Sequence, residues 1–349
     1  MSNIAVENHN QVNTSQLRQL IEACVKTQKT LFIEGGPGCG KTAIVRDQLD
    51  KMKRTHIYEC AAYLSQASFG LPCPDGDYLK MLRNRKWFEH EDATLSFDEA
   101  DKLSPMLQQL MCQVAHERRL GDDHMKPGCN IILIGNRGKD GNGSYGTSNI
   151  LTSRTMRVQF QPTADEILSY ASKANWHPAL LSALMLDKGS TYKHSAGVDR
   201  FPCPRSWENA SDVLKVVGND NRELWPAIIS GHVGDEATSN MMAILESWQK
   251  LIPVADVLRN PTGVAVPEES HIQYLQANVT LSSAKVEDLE QLLVYLTRLN
   301  GEVGLDIGVS LLRKYGGSGA KTMGTTASVQ AMRKLGIFNY MIEITGGGK

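Results

Sequence analysis

The sequence predicts an α/β domain built on a mainly parallel sheet, followed by a mostly helical second half. Three observations lead there. Up to about residue 161, short apolar runs alternate with helical patterns, the rhythm of strand–helix–strand units. A glycine-rich stretch, "GGPGCGKT", joins one such run to one such helix. Beyond residue 161 the strand signal largely disappears.

The elements follow in order. Leu17, Leu20, Ile21, Cys24 and Val25 stand at helical spacing and predict a first amphipathic helix. The runs "TLFIE", "HIYEC", "TLSFD", "NIILIG" and "MRVQF" predict five strands buried on both faces. "TADEILSYASKA" opens with a capping box, Thr163 to Glu166. Three more helical stretches follow: "HPALLSALML", "SWENASDVLKVV" and "DEATSNMMAILESWQKL". The proline-rich "PVADVLRNPTGVAVPEES" suggests a boundary near 253–269. The last eighty or so residues again read as helix, with Leu289, Leu292, Leu293 and Leu296 on one face, before a loose "GGGK" tail. No internal repeat is visible.

The 37 basic and 38 acidic residues nearly cancel, which gives no support for a bulk polyanion-binding surface. No apolar run approaches the roughly 18 residues of a membrane span, and the polar start "MSNIAVENHN" is no signal peptide. Seven scattered cysteines without CxxC spacing fit a reducing cytoplasm better than a disulfide or zinc framework.

"GGPGCGKT" satisfies GxxxxGK[ST] in full, between an apolar strand and a helix start. Over Gly35, Gly36, Pro37, Gly38, Cys39 and Gly40, such a loop turns successive backbone N–H groups inward onto phosphate oxygens, and the helix N-terminus adds partial positive charge. Lys41 is placed to reach the β and γ phosphates of ATP, and the Thr42 hydroxyl to ligate Mg²⁺. Cys39, a thiol at a helix N-terminus beside a lysine, is expected to be reactive. A second stretch, "GGSGAKT" (316–322), has Tyr315 and Ala320 where glycines are needed and no strand before it, so it is read as a loop.

"TLSFDEAD" ends an apolar strand on two carboxylates. Asp98 is placed to hold Mg²⁺ and Glu99 to polarise the attacking water. The helix after it starts at Ser104 and Pro105, with Leu107, Leu110, Met111 and Val114 inward. "NIILIGNR" supplies a polar Asn136 at another strand end, suited to hold that water near the γ-phosphate.

At this point the chain resembles the AAA+ ATPases, and among them the MoxR-like branch. The ordered series "GGPGCGKT", "FDEAD", "GNR", "LTSR" and "PCPRSWE" carries the resemblance. "SFGLPCPDGD", "HERRLGDDHMKPG" and "RFPCPRSWENASDVL" are similar to MoxR ATPases of phage and prophage type. The likeness runs from about residue 14 past residue 260. It implies a core at 13–161 behind a flexible 1–12, a helical lid at 162–252 and a helical extension at 253–349. It implies that Asn136 is sensor 1 and that Arg154 is an arginine finger offered to the γ-phosphate of a neighbouring subunit. Arg157 is the reserve candidate for that finger, and Arg205 would be sensor 2. Residues 64–92 match a helix-2 insert and "RRLGDDHMK" a pre-sensor-1 hairpin. The expected assembly is a ring, a hexamer, acting on a protein client with a von Willebrand factor A-domain partner. The local sequence suits the finger: no acid occurs among residues 149–158.

Two rivals stand beside this reading. Asp98 to Asp101 spell the DEAD-box motif, but the helical second half lacks the second RecA-like domain such helicases need. A motor acting on nucleic acid draws support from "KMKR" (51–54) and "RNRK" (83–86), although charge runs are usually solvated faces. A scaffold that binds ATP without hydrolysis is disfavoured by the presence of both Glu99 and Arg154.

Overall fold

A computed structural model describes residues 10–137, 145–194, 197–246, 250–315 and 323–338. The stretch 316–322, residues 1–9, most of the loop after Asn136 and the C-terminal tail lie outside these. Contacts divide the chain into two compact units: Met1–Thr163 with His194–Gly197, and Ala164–Lys193 with Val198–Lys349.

The first unit is an α/β layer built on ten strands: β1 (Gln11–Val12), β2 (Leu31–Glu34), β3 (Thr55–Cys60), β4 (Leu71–Asp75), β5 (Tyr78–Leu82), β6 (Ala93–Asp98), β7 (Arg119–Leu120), β8 (Asp123–His124), β9 (Asn130–Gly135) and β10 (Met156–Phe160). Six of them form a sheet of order β1-β10-β2-β9-β6-β3 in which every pairing is parallel. All five strands expected from sequence are in it. They were legible because β2 and β9 are buried at every position, as apolar runs sandwiched between helices must be. Gln11–Val12, expected within a flexible N-terminus, instead pairs with β10. Backbone hydrogen bonds Gln159 N–H to Asn10 O and Gln161 N–H to Val12 O (2.9 and 3.0 Å) hold it there, and two residues are too few to show alternation in sequence.

The helices of this unit are α1 (Thr14–Thr27), α2 (Lys41–Lys51), α3 (Gln66–Phe69), α4 (Arg85–Phe88), α5 (Pro105–Glu117) and α6 (Asn149–Thr152). α1 starts at Asn13, which forms a capping box with Gln16, and buries Leu17, Ile21, Cys24 and Val25 as expected. Within 64–92, α3 and α4 carry Phe69 and Trp87 into the core. Trp87 stands edge-on to Phe69 and to Phe97 of β6, with ring centroids 5.3 and 5.1 Å apart. Between them, β4 and β5 form an antiparallel hairpin exposed on nearly every residue. β7 and β8 form the short hairpin expected at "RRLGDDHMK".

The second unit is helical: α7 (Ala164–Lys173), α8 (Pro178–Leu186), α9 (Pro204–Val217), α10 (Trp225–Val233), α11 (Asp235–Leu245), α12 (Val254–Arg259), α13 (Ser270–Ser283), α14 (Leu289–Leu296), α15 (Gly301–Tyr315) and α16 (Thr326–Lys334). No division between compact units falls at 253–269. That segment holds α12, and Leu275 of α13 sits in one core with Leu180, Leu184 and Trp207. No helix among the described residues is long and apolar enough to cross a membrane.

One group in this unit ties its stability to pH. His177, just before α8, packs edge-on against Trp225 at 5.1 Å, and its backbone N–H donates to Ser211 Oγ at 2.7 Å. Burial lowers its pKa to about 4. Between about pH 6.5 and 4 the unfolded imidazole takes a proton that the folded one refuses, so stability falls as pH falls through that window. The full effect is about 3 kcal/mol. Denaturant unfolding at pH 7 and pH 4.5 should show a smaller acid loss for His177→Gln than for the unaltered protein, and equal losses would remove His177 from the account.

Candidate nucleotide-binding site

The site forms at the carboxyl ends of three neighbouring strands, β2, β9 and β6, where open parallel sheets bind ligands. The loop leaves β2 at Gly35, whose N–H reaches Gly135 O at the end of β9 (3.3 Å). A Cβ at Gly35 would lie 2.7 Å from the backbone oxygen of Phe160, so no other residue fits. Gly38 and Gly40 hold φ of 71° and 97°, left-handed values that a side chain resists. Gly40 caps α2, which begins at Lys41.

Lys41 is 8% exposed, and its ammonium donates to three oxygens: Gly35 O and Gly36 O at 2.9 Å each and Asn136 Oδ1 at 3.1 Å. All three partners are neutral. A buried cation satisfied only by neutral acceptors is short of countercharge. Thr42 Oγ1 donates to Asp98 Oδ2 at 2.6 Å, and Asp98 Oδ1 accepts the Glu99 N–H at 2.8 Å. The structure thus brings together Lys41, Thr42, Asp98, Glu99 and Asn136, from two strand ends and the start of a helix.

Glu99 has a φ of 57°, costly for a residue with a long side chain and tolerated where a site demands it. Its carboxylate lies 3.1 Å from the Lys102 ammonium and 3.8 Å from the Cys60 thiol. Burial, and then the Glu99 and Asp98 charges, push the Cys60 thiol up, while the bond to Glu99 raises Lys102. Tyr58 of β3 adds a hydroxyl 3.4 Å from Asp98 Oδ2; burial and then that carboxylate push its pKa up. Tyr58, Cys60 and Lys102 had no signal in sequence, because strand pairing and a tight turn place them.

Thr42 and Asp98 are hard oxygen donors side by side, a set that fits Mg²⁺, which takes one or two protein oxygens and fills its shell from phosphate and water. Cys39 corrects an expectation: it is buried, and its sulfur packs where a Gly35 side chain would go, so reagents have little access to it.

The arginines separate. Arg157 lies within β10 and makes a two-pronged ion pair with Glu34: Nε bonds Oε2, and the second nitrogen bonds Oε1 at 2.6 Å. Glu34 is buried at the end of β2. The carboxylate missing near Arg157 in sequence is thus supplied from 123 residues away, and any reach of Arg157 toward a nucleotide would have to break that pair. Arg154 is exposed, just past α6, whose Leu151 is fully buried in the core. Arg205 is exposed in the first turn of α9, in the other unit, behind a cap in which Cys203 and Ser206 bond reciprocally.

Five residues of the basic runs have side-chain partners. Lys51 pairs with Asp47 at 2.8 Å, and Arg54 bonds Thr94 Oγ1 at 2.7 Å and the backbone oxygens of Ala93 and Gly128. Arg83 meets Asp123 at 2.9 Å, Arg85 Glu89 at 2.5 Å, and Lys86 Glu59 at 3.7 Å.

No family model matches the chain, and no curated protein matches it. Among solved structures it is similar to NtrX from Brucella abortus in complex with ADP, at 15% identity and a TM-score of 0.42, covering 92% of this chain and 68% of that one. It is also similar to the Thermotoga maritima RuvB Holliday junction branch migration motor, at 16% identity and a TM-score of 0.36, covering 72% of this chain and 75% of that one. At scores and identities this low these likenesses assign neither a family nor an activity, and the chemistry is read from the loop and strand ends themselves.

Proposed function

We propose that the protein is a Mg²⁺-dependent ATPase of the AAA+ type, MoxR-like in organisation, that assembles as a ring, a hexamer, and uses ATP hydrolysis to remodel a protein partner in the cytoplasm. The observation that carries the reading is the Lys41 ammonium, nearly buried, with left-handed glycines before it and neutral oxygens as its hydrogen-bond partners among the described residues. A polyphosphate supplies the missing charge, and the start of α2 adds N–H donors for it. Lys41 exchanges its carbonyl partners for phosphate oxygens, and Thr42 and Asp98 hold Mg²⁺. Mg²⁺ held there would supply positive charge against the charge that develops on the phosphates. Glu99 orients and polarises the attacking water, and Asn136 holds that water's position beside the γ-phosphate. Arg154 reaches a neighbour's nucleotide, and Arg205, in a lid over 162–252, reaches its own; residues 253–349 are the extension. A von Willebrand factor A-domain partner is proposed from the sequence resemblance alone. Seven free cysteines fit a reducing compartment.

The alternative, a motor acting on nucleic acid, is less favoured, because Lys51, Arg54, Arg83, Arg85 and Lys86 of the basic runs that suggested it are engaged by acids or by polar oxygens of the chain. To test the ring, turnover per chain is followed on dilution, with assembly monitored by light scattering. Turnover should fall as protomers separate, and unchanged turnover of isolated protomers would overturn the proposal.

A further inference from the structure

Two buried polar side chains on the segment after the acid pair have no part in the chemistry above. Asp101, the last letter of the "DEAD" tetrad, is 1% exposed, and Gln108, on the inner face of α5, 2%. A carboxylate or amide buried this deeply is unfavourable unless bonded, so their partners show what they do.

Asp101 Oδ1 accepts the backbone N–H of Asn136 at 3.0 Å, and its backbone oxygen accepts the N–H of Tyr145 at 3.2 Å. Gly135 beside it has no room for a side chain: a Cβ would lie 3.0 Å from Asp101 Oδ1 and 3.2 Å from Phe32. Gln108 Nε2 donates to Leu103 O at 2.9 Å and to Gly146 O at 2.7 Å, while its Oε1 accepts the Ser148 N–H at 2.7 Å. Ser148 is the cap of α6, the helix that leads to Arg154. The bonds of the two residues therefore reach both ends of the segment joining β9 to α6. One end bears the amide that touches Lys41, and the other sets the exposed arginine.

We propose that Asp101 and Gln108 are positioning residues: Asp101 sets Asn136 against the Lys41 ammonium, and Gln108 sets the helix that presents Arg154. Both lie on the segment that follows the acid pair. The inference rests on the ATPase reading and, for one arm of its test, on donation of Arg154 across a subunit seam. Bonds to backbone atoms set position without selecting side chains, so losing one moves a group without removing it. A displacement of about 1 Å costs on the order of 10²-fold in rate.

The test compares affinity for a fluorescent ATP analogue, kcat and melting temperature. Asp101→Ala and Gln108→Ala should bind the analogue as the unaltered protein does while kcat falls about 10²-fold. Asp101→Asn, which keeps the accepting oxygen, should recover most of the turnover. Adding Lys41→Ala subunits should rescue Gln108→Ala, because the neighbour brings a well-placed arginine. The same subunits should leave Asp101→Ala inactive, because its fault lies in its own site. Unchanged kcat in a folded variant, or affinity falling in step with kcat and melting temperature, would overturn the proposal. If Asp101→Ala or Gln108→Ala fails to fold, Asp101→Asn and Gln108→Met take their places: near-normal turnover in the first and a kcat loss at unchanged affinity in the second support the proposal, and the reverse overturns it. If Arg154→Ala is not rescued by Lys41→Ala, donation across the seam fails by itself, and the split between kcat and affinity still decides both positions.

Discussion

Glu99→Gln is expected to lower ATP turnover by roughly 10²–10⁴-fold while ATP still binds. The two effects separate because the groups do. Lys41, the glycine loop and the Thr42–Asp98 contact are untouched by the change, so the phosphates keep their partners. What is lost is the charge of a carboxylate held in a turn at positive φ beside Lys102. An amide of the same shape neither accepts a proton from water nor polarises it. Equilibrium binding of a fluorescent ATP analogue, set against steady-state phosphate release, reads both. Turnover within tenfold of the unaltered protein would assign the water to another group. The same variant, held with ATP bound, is the bait that tests for the proposed protein client.

Arg154→Ala is expected to lose roughly 10³–10⁵ in turnover, the contribution of an arginine that meets developing phosphate charge. Both arginines are exposed; Arg157 pairs with Glu34, and Arg154 lies just beyond a helix pinned by Leu151, so the variant tests the proposed role of Arg154 directly. Mixing Arg154→Ala with Lys41→Ala subunits, each inactive alone, should restore hydrolysis at seams where an intact site faces an intact arginine. A mixture that co-assembles and stays inactive would count against donation in trans.

Much of the site was legible in sequence because its residues are consecutive. "GGPGCGKT" is one strand-to-helix turn, and "FDEAD" one strand end. The strands β2, β6 and β9 were legible for a related reason: residues covered on both faces form unbroken apolar runs, whereas β3 and β10 are only partly covered. The β4–β5 hairpin was not, because Leu71, Tyr78, Leu79 and Leu82 are all exposed and no inward face imposes alternation. α10 was missed at Pro226, which reads as a breaker but stands in the helix's first turn, where proline belongs. Gln108 left a faint trace, at i−3 from Met111 and i−4 from Cys112 on a buried stripe. Its bonds to Gly146 and Ser148 bridge 38 and 40 residues, and nothing local announces them. The Glu34 partner of Arg157 was hidden in the same way.

That last pair has a consequence for how this chain can diverge. Glu34 immediately precedes the loop, and removing Arg157 alone would strand a buried carboxylate at its base, whereas replacing both by apolar residues of similar volume is often tolerated. The dependence runs one way: the buried Glu34 carboxylate needs Arg157, whereas Arg157, two-fifths exposed, would still be hydrated without Glu34.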